Sequence, residues 1–318
     1  MKEKEKEKEK ENWGDKALER ISQTAFVEQR KARRWGVFFK LATLIYLSIL
    51  LFFFISSNDN KIATTGDFTA LITINGEISS ESEANANDFK RNLNDAYDNP
   101  GTKGIILSIN SPGGSPVQAG IMNDEIIRLK SQYPQIPIYA VVEDICASGA
   151  YYIAVATDSI YVDKASIVGS IGVLMDGFGF EQTINKLGIE RRLMTAGKNK
   201  AALDPFSPIN PEHKAHVQDL LDQVHQQFIE VVKDGRGEKL RDDSEIFSGL
   251  FWNGEESIKL GLSDYLGSAD YVAREVIGHA RIEDFTTYET FADRFAKQLG
   301  VSMGSEIRRK FFNNFVLK

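Results

Sequence analysis

A chain of 318 residues with 42% hydrophobic and 10% aromatic content has enough apolar material for one core of about 200 to 250 residues plus appendages, which excludes a wholly disordered protein. Its formal net charge of −7 argues against a broad phosphate-binding face, so nucleic acid is not an expected partner. The single cysteine, Cys146, excludes an intramolecular disulfide framework.

Residues 1–35 read as a charged tail. Met1 to Glu11 alternate Lys and Glu with no further apolar residue and cannot build a core. Asn12 to Arg34 carry a weakly amphipathic helical pattern that ends in the basic cluster Arg30, Lys31, Arg33 and Arg34. The composition then changes abruptly. Val37 to Ile55, inside residues 36–56, form an apolar run of about 19 residues, which at about 1.5 Å per residue matches the hydrocarbon core of a bilayer. Lys40 lies near the end where its stem reaches the interface, and Trp35 is placed at headgroup level. The run is longer than the apolar region of a signal peptide and no A-x-A site follows it, so an uncleaved anchor is expected. Because Lys and Arg stay on the cytoplasmic side, the expectation is a single-pass protein of the inner (cytoplasmic) membrane. Its N-terminus is cytoplasmic and its bulk extracytoplasmic.

After a linker at residues 57–66, residues 67–280 read as one folded domain and 281–318 as a C-terminal extension. Phe68 to Ile74, Gly104 to Ile109 and Ile138 to Val142 are apolar, β-rich runs; Phe89 to Tyr97 and Ile121 to Leu129 between them have helical periodicity. This rhythm predicts an α/β fold with a mostly parallel sheet covered by helices. A further strand is expected at Arg191 to Met194. Val217, Leu220, Leu221, Val224, Phe228 and Val231 mark one face of a long helix between Glu212 and Val232.

Asn110 to Ser115 (N-S-P-G-G-S) follow a strand and precede a helix. Adjacent glycines there let the backbone approach a ligand and leave N–H groups unpaired, as an oxyanion hole requires, although Pro-Gly-Gly is also an ordinary turn. In Ile145 to Tyr152 (I-C-A-S-G-A-Y-Y), Ser148 lies at a strand-to-helix turn, where a serine is either a nucleophile or a helix N-cap. A nucleophilic serine needs a base. His213, His216, His225 and His279 have no motif around them and no evident acid to orient an imidazole. A lysine serves where burial removes its proton, and Lys198 and Lys200 in T-A-G-K-N-K-A-A-L-D-P-F are the candidates; spacing alone does not choose between them. Cys146 lacks a histidine partner and reads as a small buried apolar residue.

I-L-S-I-N-S-P-G-G, C-A-S-G-A-Y-Y, I-V-G-S-I-G-V-L, K-N-K-A-A-L-D-P-F and F-W-N-G-E-E-S-I-K-L-G-L-S-D, in this order, resemble the signal peptide peptidase A family in its short, single-copy form, over about Phe68 to Gly267. That resemblance implies a fold like the Clp protease and crotonase superfamily and a serine endopeptidase with a Ser-Lys dyad. Ser148 matches the nucleophile and Lys200 the general base. The N–H groups of Gly114 and Ser148 match the oxyanion donors, and Ser170 matches a serine that orients the lysine. It also implies peptide substrates such as signal-peptide remnants at the bilayer, a homo-oligomer, and neither metal nor cofactor. Cys146 and Ala150 stand where the family often has Ala and Gly, and the Lys/Glu tail is not a family feature. A crotonase-like acyl-CoA enzyme and a non-catalytic membrane scaffold are the alternative readings.

Overall fold

The computed structural model describes residue 26 and residues 28–51 and 66–288. Most of the expected tail, the linker (except residue 66) and residues 289–318 of the C-terminal extension lie outside the described residues, as do residues 52–55 of the apolar run. The chain divides into two compact units, residues 1–63 and 64–318. In the first, α1 (Glu28–Leu51) has 24 residues, a mean hydropathy of 1.5 in its most apolar window and no buried side chain there. It is long and apolar enough to cross a membrane.

The second unit is an eight-stranded sheet. In chain order it contains β1 (Phe68–Asn75), α2 (Ala86–Asp98), β2 (Thr102–Ser111), α3 (Pro116–Gln132), β3 (Ile138–Ala147), α4 (Gly149–Ala154), β4 (Ser159–Val162) and β5 (Ile167–Gly169). There follow α5 (Glu181–Lys186), α6 (Pro211–Arg236), β6 (Phe251–Asn253), α7 (Gly254–Lys259), β7 (Tyr265–Leu266), α8 (Ala269–Tyr271) with a π turn at Val272–Ile277, and β8 (Ile282–Asp284). The sheet order is β6-β5-β3-β2-β1-β8, with β4 pairing β3 and β7. Every pairing is parallel except β5 with β6. The α/β class with a mostly parallel sheet is therefore as the sequence implies.

The three predicted strands form because their apolar runs bury both faces. On one side Ile72, Ile105, Leu107, Ile109, Ala140 and Val142 pack with Phe89 and Leu93 of α2, Met122 and Ile126 of α3, and Tyr151 and Ile153 of α4. On the other, Ile106, Val141 and Tyr161 pack with Val272 and Ala273. The strand expected at Arg191 to Met194 is absent: this stretch is irregular and lies at the surface, with no neighbouring strand to satisfy its backbone. On α6, Phe228 of the predicted apolar side is buried, while Leu220 is exposed and Val217, Leu221, Val224 and Val231 are half-buried; Val232, outside that predicted set, is also buried.

Register positions the site. Ile109 pairs with Val142 but Ser111 pairs with Cys146, so β3 carries two extra residues between those points. Before this irregularity β3 pairs with β4, and after it Ile145–Ala147 pair with Ile167–Gly169 of β5. The ends of β2, β3 and β5 are thereby brought side by side, and the loops after them leave from one place.

A buried ion pair ties α6 into this frame. The Arg236 guanidinium donates to both Asp264 carboxylate oxygens, at 2.9 and 3.0 Å, and to Gly261 O at 2.8 Å, with both charged side chains buried. Asp264 also accepts from Lys239 Nζ and Ile160 N–H, each at 2.8 Å. Burial alone would raise the pKa of this carboxyl, but the hydrogen bonds from Arg236, Lys239 and Ile160 outweigh it and hold the pKa below the usual value. The resulting stability is present above the unfolded pKa of about 3.9 and is lost as pH falls through the lower folded value. Removing one partner of such a pair leaves the other charge buried, so Asp264→Asn is expected to cost about 3 kcal/mol at neutral pH. In urea unfolding of the full-length protein, the gap to wild type should narrow as pH drops below about 4.

Candidate active site

Ser148 has φ 52° and ψ −124°, in the left-handed region that non-glycine residues avoid at about 1–3 kcal/mol. The conformation is held from both sides: its N–H donates to Gly169 O at 2.8 Å and its carbonyl accepts from Tyr152 N–H at 3.0 Å. Ser148 occupies the N-cap position of α4, yet its side chain makes no capping hydrogen bond. The hydroxyl is free of any partner among the described residues and lines a groove of about 650 Å3.

The Pro112–Gly114 loop forms the adjoining wall. Gly114 has φ 150°, and a Cβ there would lie 2.2 Å from Ile78 O; at Gly113, with φ 96°, it would lie 2.6 Å from Gly149 N. Only glycine permits this approach of the loop to the first turn of α4. The N–H groups of Gly114 and Gly149 have no hydrogen-bond partner among the described residues, and both residues line the groove. They are neighbours, since a Cβ on Gly149 would lie 3.3 Å from Gly114 N.

The Ser148 N–H, expected from the sequence as an oxyanion donor, is engaged in this structure by Gly169 O. Gly149, which the sequence reading did not single out, carries the unpartnered N–H next to that of Gly114. The signal was available: the first N–H groups of a helix have no intrahelical acceptor, and Gly149 directly follows the serine.

Ser170 also lines the groove, with φ 53° and its N–H donating to Leu250 O at 2.7 Å. The far wall comes from Val224, Gln227 and Phe228 of α6, and the Phe228 ring lies 5.2 Å from that of Tyr152. Glu77 completes the lining on the side of β1. Burial raises the Tyr152 pKa, so this phenol stays protonated.

Ser148, Gly114 and Ser170 are brought together; Lys200 is not with them. It is exposed and absent from the groove lining, and its N–H donates to Gly197 O at 3.1 Å. Its turn is fixed by an arm built from polar and ring contacts. The Arg191 guanidinium pairs with Asp204 and sits 5.1 Å above the Phe206 ring, which packs 5.7 Å from Phe180. Hydrogen bonds from Arg191 and then Ser207 hold the Asp204 carboxyl below its usual pKa. Lys198 is solvent-exposed and faces Glu212 at 3.5 Å. Among the described residues, no lysine or histidine lines the groove. His225 contacts Ile171 O at 3.1 Å and His213 contacts Asn199 at 3.2 Å.

Residues 130–283 match the family model described as peptidase family S49, a stretch that includes Ser148, Ser170 and Lys200. The chain is 43% identical over 186 residues to a Brucella melitensis protein named Na(+)/H(+) antiporter NhaA, a match over 58% of this chain and 25% of that one. It is 26% identical over 226 residues to a candidate signal peptide peptidase SppA of Enterococcus faecium, covering 69% of this chain and 65% of that one. It is 33% identical over 178 residues to a candidate protease of Methanocaldococcus jannaschii, covering 56% of each. The chain thus spans between a quarter and just under two thirds of the length of these relatives.

Cys146 is fully buried two residues before Ser148, and burial pushes its thiol pKa up. A buried protonated thiol is inert. An alkylating reagent is therefore expected to leave Cys146 unmodified in the native protein and to modify it in denaturant; mass spectrometry of the Cys146 peptide reads the outcome, and labelling without denaturant would contradict this placement.

Proposed function

We propose that the chain, whose residues 130–283 match peptidase family S49 and which is similar to SppA-type proteases, is a member of the signal peptide peptidase A family and a serine endopeptidase, with the Ser148 groove as its active site. The observation that carries this reading is the free Ser148 hydroxyl, held in a strained turn beside the unpartnered N–H groups of Gly114 and Gly149. Ser148 Oγ attacks the scissile carbonyl carbon, and negative charge develops on the carbonyl oxygen. Two N–H groups already oriented toward that charge need no reorganisation to stabilise it. The serine proton passes to a base that later returns it to the leaving amine, and water then hydrolyses the acyl-enzyme.

Lys200 is the base in this reading, and Ser170 is the hydroxyl that orients it. An amine is usable as a base only where it is withdrawn from water. Lys200 is exposed in its own chain, and among the described residues no lysine or histidine lines the groove, so in this reading the dyad is completed by Lys200 of a neighbouring subunit. Supporting an oligomer, the segment that carries Lys200 exposes Leu174, Phe178, Leu187, Met194 and Ile209. With α1 as a single-pass anchor and Arg30 to Arg34 on the cytoplasmic side, the domain (residues 67–280) faces the extracytoplasmic surface. Substrates are then signal-peptide remnants and other peptides near the bilayer, with no metal or cofactor needed.

Ser148→Ala and Lys200→Ala are each expected to lower peptide cleavage by about a thousandfold or more. Lys200→Arg is expected to be as inactive as Lys200→Ala, since guanidinium does not deprotonate. Co-assembly of the Ser148→Ala and Lys200→Ala chains should restore activity, since random mixing in a closed ring leaves about one site in four with both groups. Recovery of none would place the base within the same chain, and cleavage by Ser148→Ala alone would remove the nucleophile assignment.

A further inference from the structure

Glu77 has no task in the chemistry above. Its backbone runs beside the glycine loop: Gly76 N–H donates to Asn110 O at 2.9 Å, Ile78 N–H to Gly113 O at 2.8 Å, and Ser115 N–H to Ile78 O at 2.8 Å. These bonds fix Glu77 relative to Gly114. Ile78 is fully buried, whereas Glu77 beside it is exposed and lines the groove.

Among the described residues that line the groove, Glu77 alone carries a formal charge. The surrounding walls are glycine, hydroxyl and apolar groups such as Val173, Leu174 and Phe228. The Glu77 carboxylate has no hydrogen bond or ion pair among the described residues. An unpaired carboxylate at a fixed place in an otherwise neutral cleft attracts a cation entering it and repels an anion.

We infer that Glu77 is a specificity determinant that selects peptides with a basic side chain close to the scissile bond. This rests on the peptidase reading of the groove and adds the substrate class to it. A Lys or Arg side chain lays its apolar stem along the groove and places its charge at the carboxylate. A peptide with Glu at the same position meets repulsion.

The test compares kcat/KM for peptides that are identical except for a single Lys, Gln or Glu at each position flanking the cleaved bond, using the full-length protein in lipid nanodiscs. At one position wild type should prefer Lys over Glu by about five- to tenfold, and the ratio should shrink at high salt. Glu77→Gln should bring the ratio to within about twofold, and Glu77→Lys should invert it. An unchanged ratio in Glu77→Gln overturns the inference. So does a Glu77→Gln enzyme whose only change is a shifted pH profile, because Glu77 then faces the incoming Lys200 rather than the peptide. Failure of the peptidase reading looks different: wild type cleaves none of the set, or Ser148→Ala cleaves as well as wild type. Binding of the uncut peptides to Ser148→Ala, followed by fluorescence anisotropy, decides the matter without turnover. Tighter binding of the Lys peptide that is lost in Ser148→Ala/Glu77→Gln supports the inference, and equal binding of the Lys and Glu peptides overturns it.

Discussion

The hydrogen bond from Ser148 N–H to Gly169 O joins the end of β3 to the end of β5, and the geometry of the groove depends on it. It holds a non-glycine residue at positive φ and so presents the hydroxyl outward rather than back onto its own helix as a cap. It also consumes the Ser148 N–H, which leaves Gly149 and Gly114 as the donors next to the hydroxyl. Finally, it sets β5 so that Ser170, one residue further, enters the same groove. The bond exists because β3 changes partner. The extra residues in its middle carry it from β4 to β5, and Ser108 Oγ–H donates to Glu143 beside them.

The elements legible in the sequence are those whose cause is local. Continuous apolar runs gave β1, β2 and the first half of β3, and the 3.6-residue period gave α2, α3 and α6, with boundaries a few residues short. The second half of β3 was not legible, because Glu143 and Asp144 interrupt the apolar run and the strand continues only through its pairing with β5. The short strands β6, β7 and β8 are likewise made by their partners rather than by their own two or three residues. For Arg191 to Met194 the error ran the other way, since a stretch without a neighbouring strand does not make a ladder.

At the site, the strand-end motifs drew attention to Ser148 and Gly114, the family resemblance to Ser170, and parallel strands deliver such ends to one edge of the sheet, where all three line one groove. Which N–H groups stay free was not, because that depends on the long-range acceptor Gly169 O. The position of Lys200 was not legible either. Residues 174–210 contribute almost nothing to the buried core and are held by Arg191, Asp204 and Phe206. Local patterns say nothing about where such an arm points. An arm that exposes apolar side chains and a groove lined, among the described residues, by no lysine or histidine are the two features on which the proposed oligomer rests.

The central claim is that the Ser148 hydroxyl is a nucleophile rather than a helix cap or a structural polar group. Its most direct test is a fluorophosphonate adduct mapped by mass spectrometry on the native, membrane-embedded protein. A mass increase confined to the peptide containing Ser148, and absent in protein unfolded before treatment, is the predicted result. An intact Ser148 peptide after prolonged exposure of active protein, or an adduct on Ser170 or another hydroxyl in its place, would contradict the account.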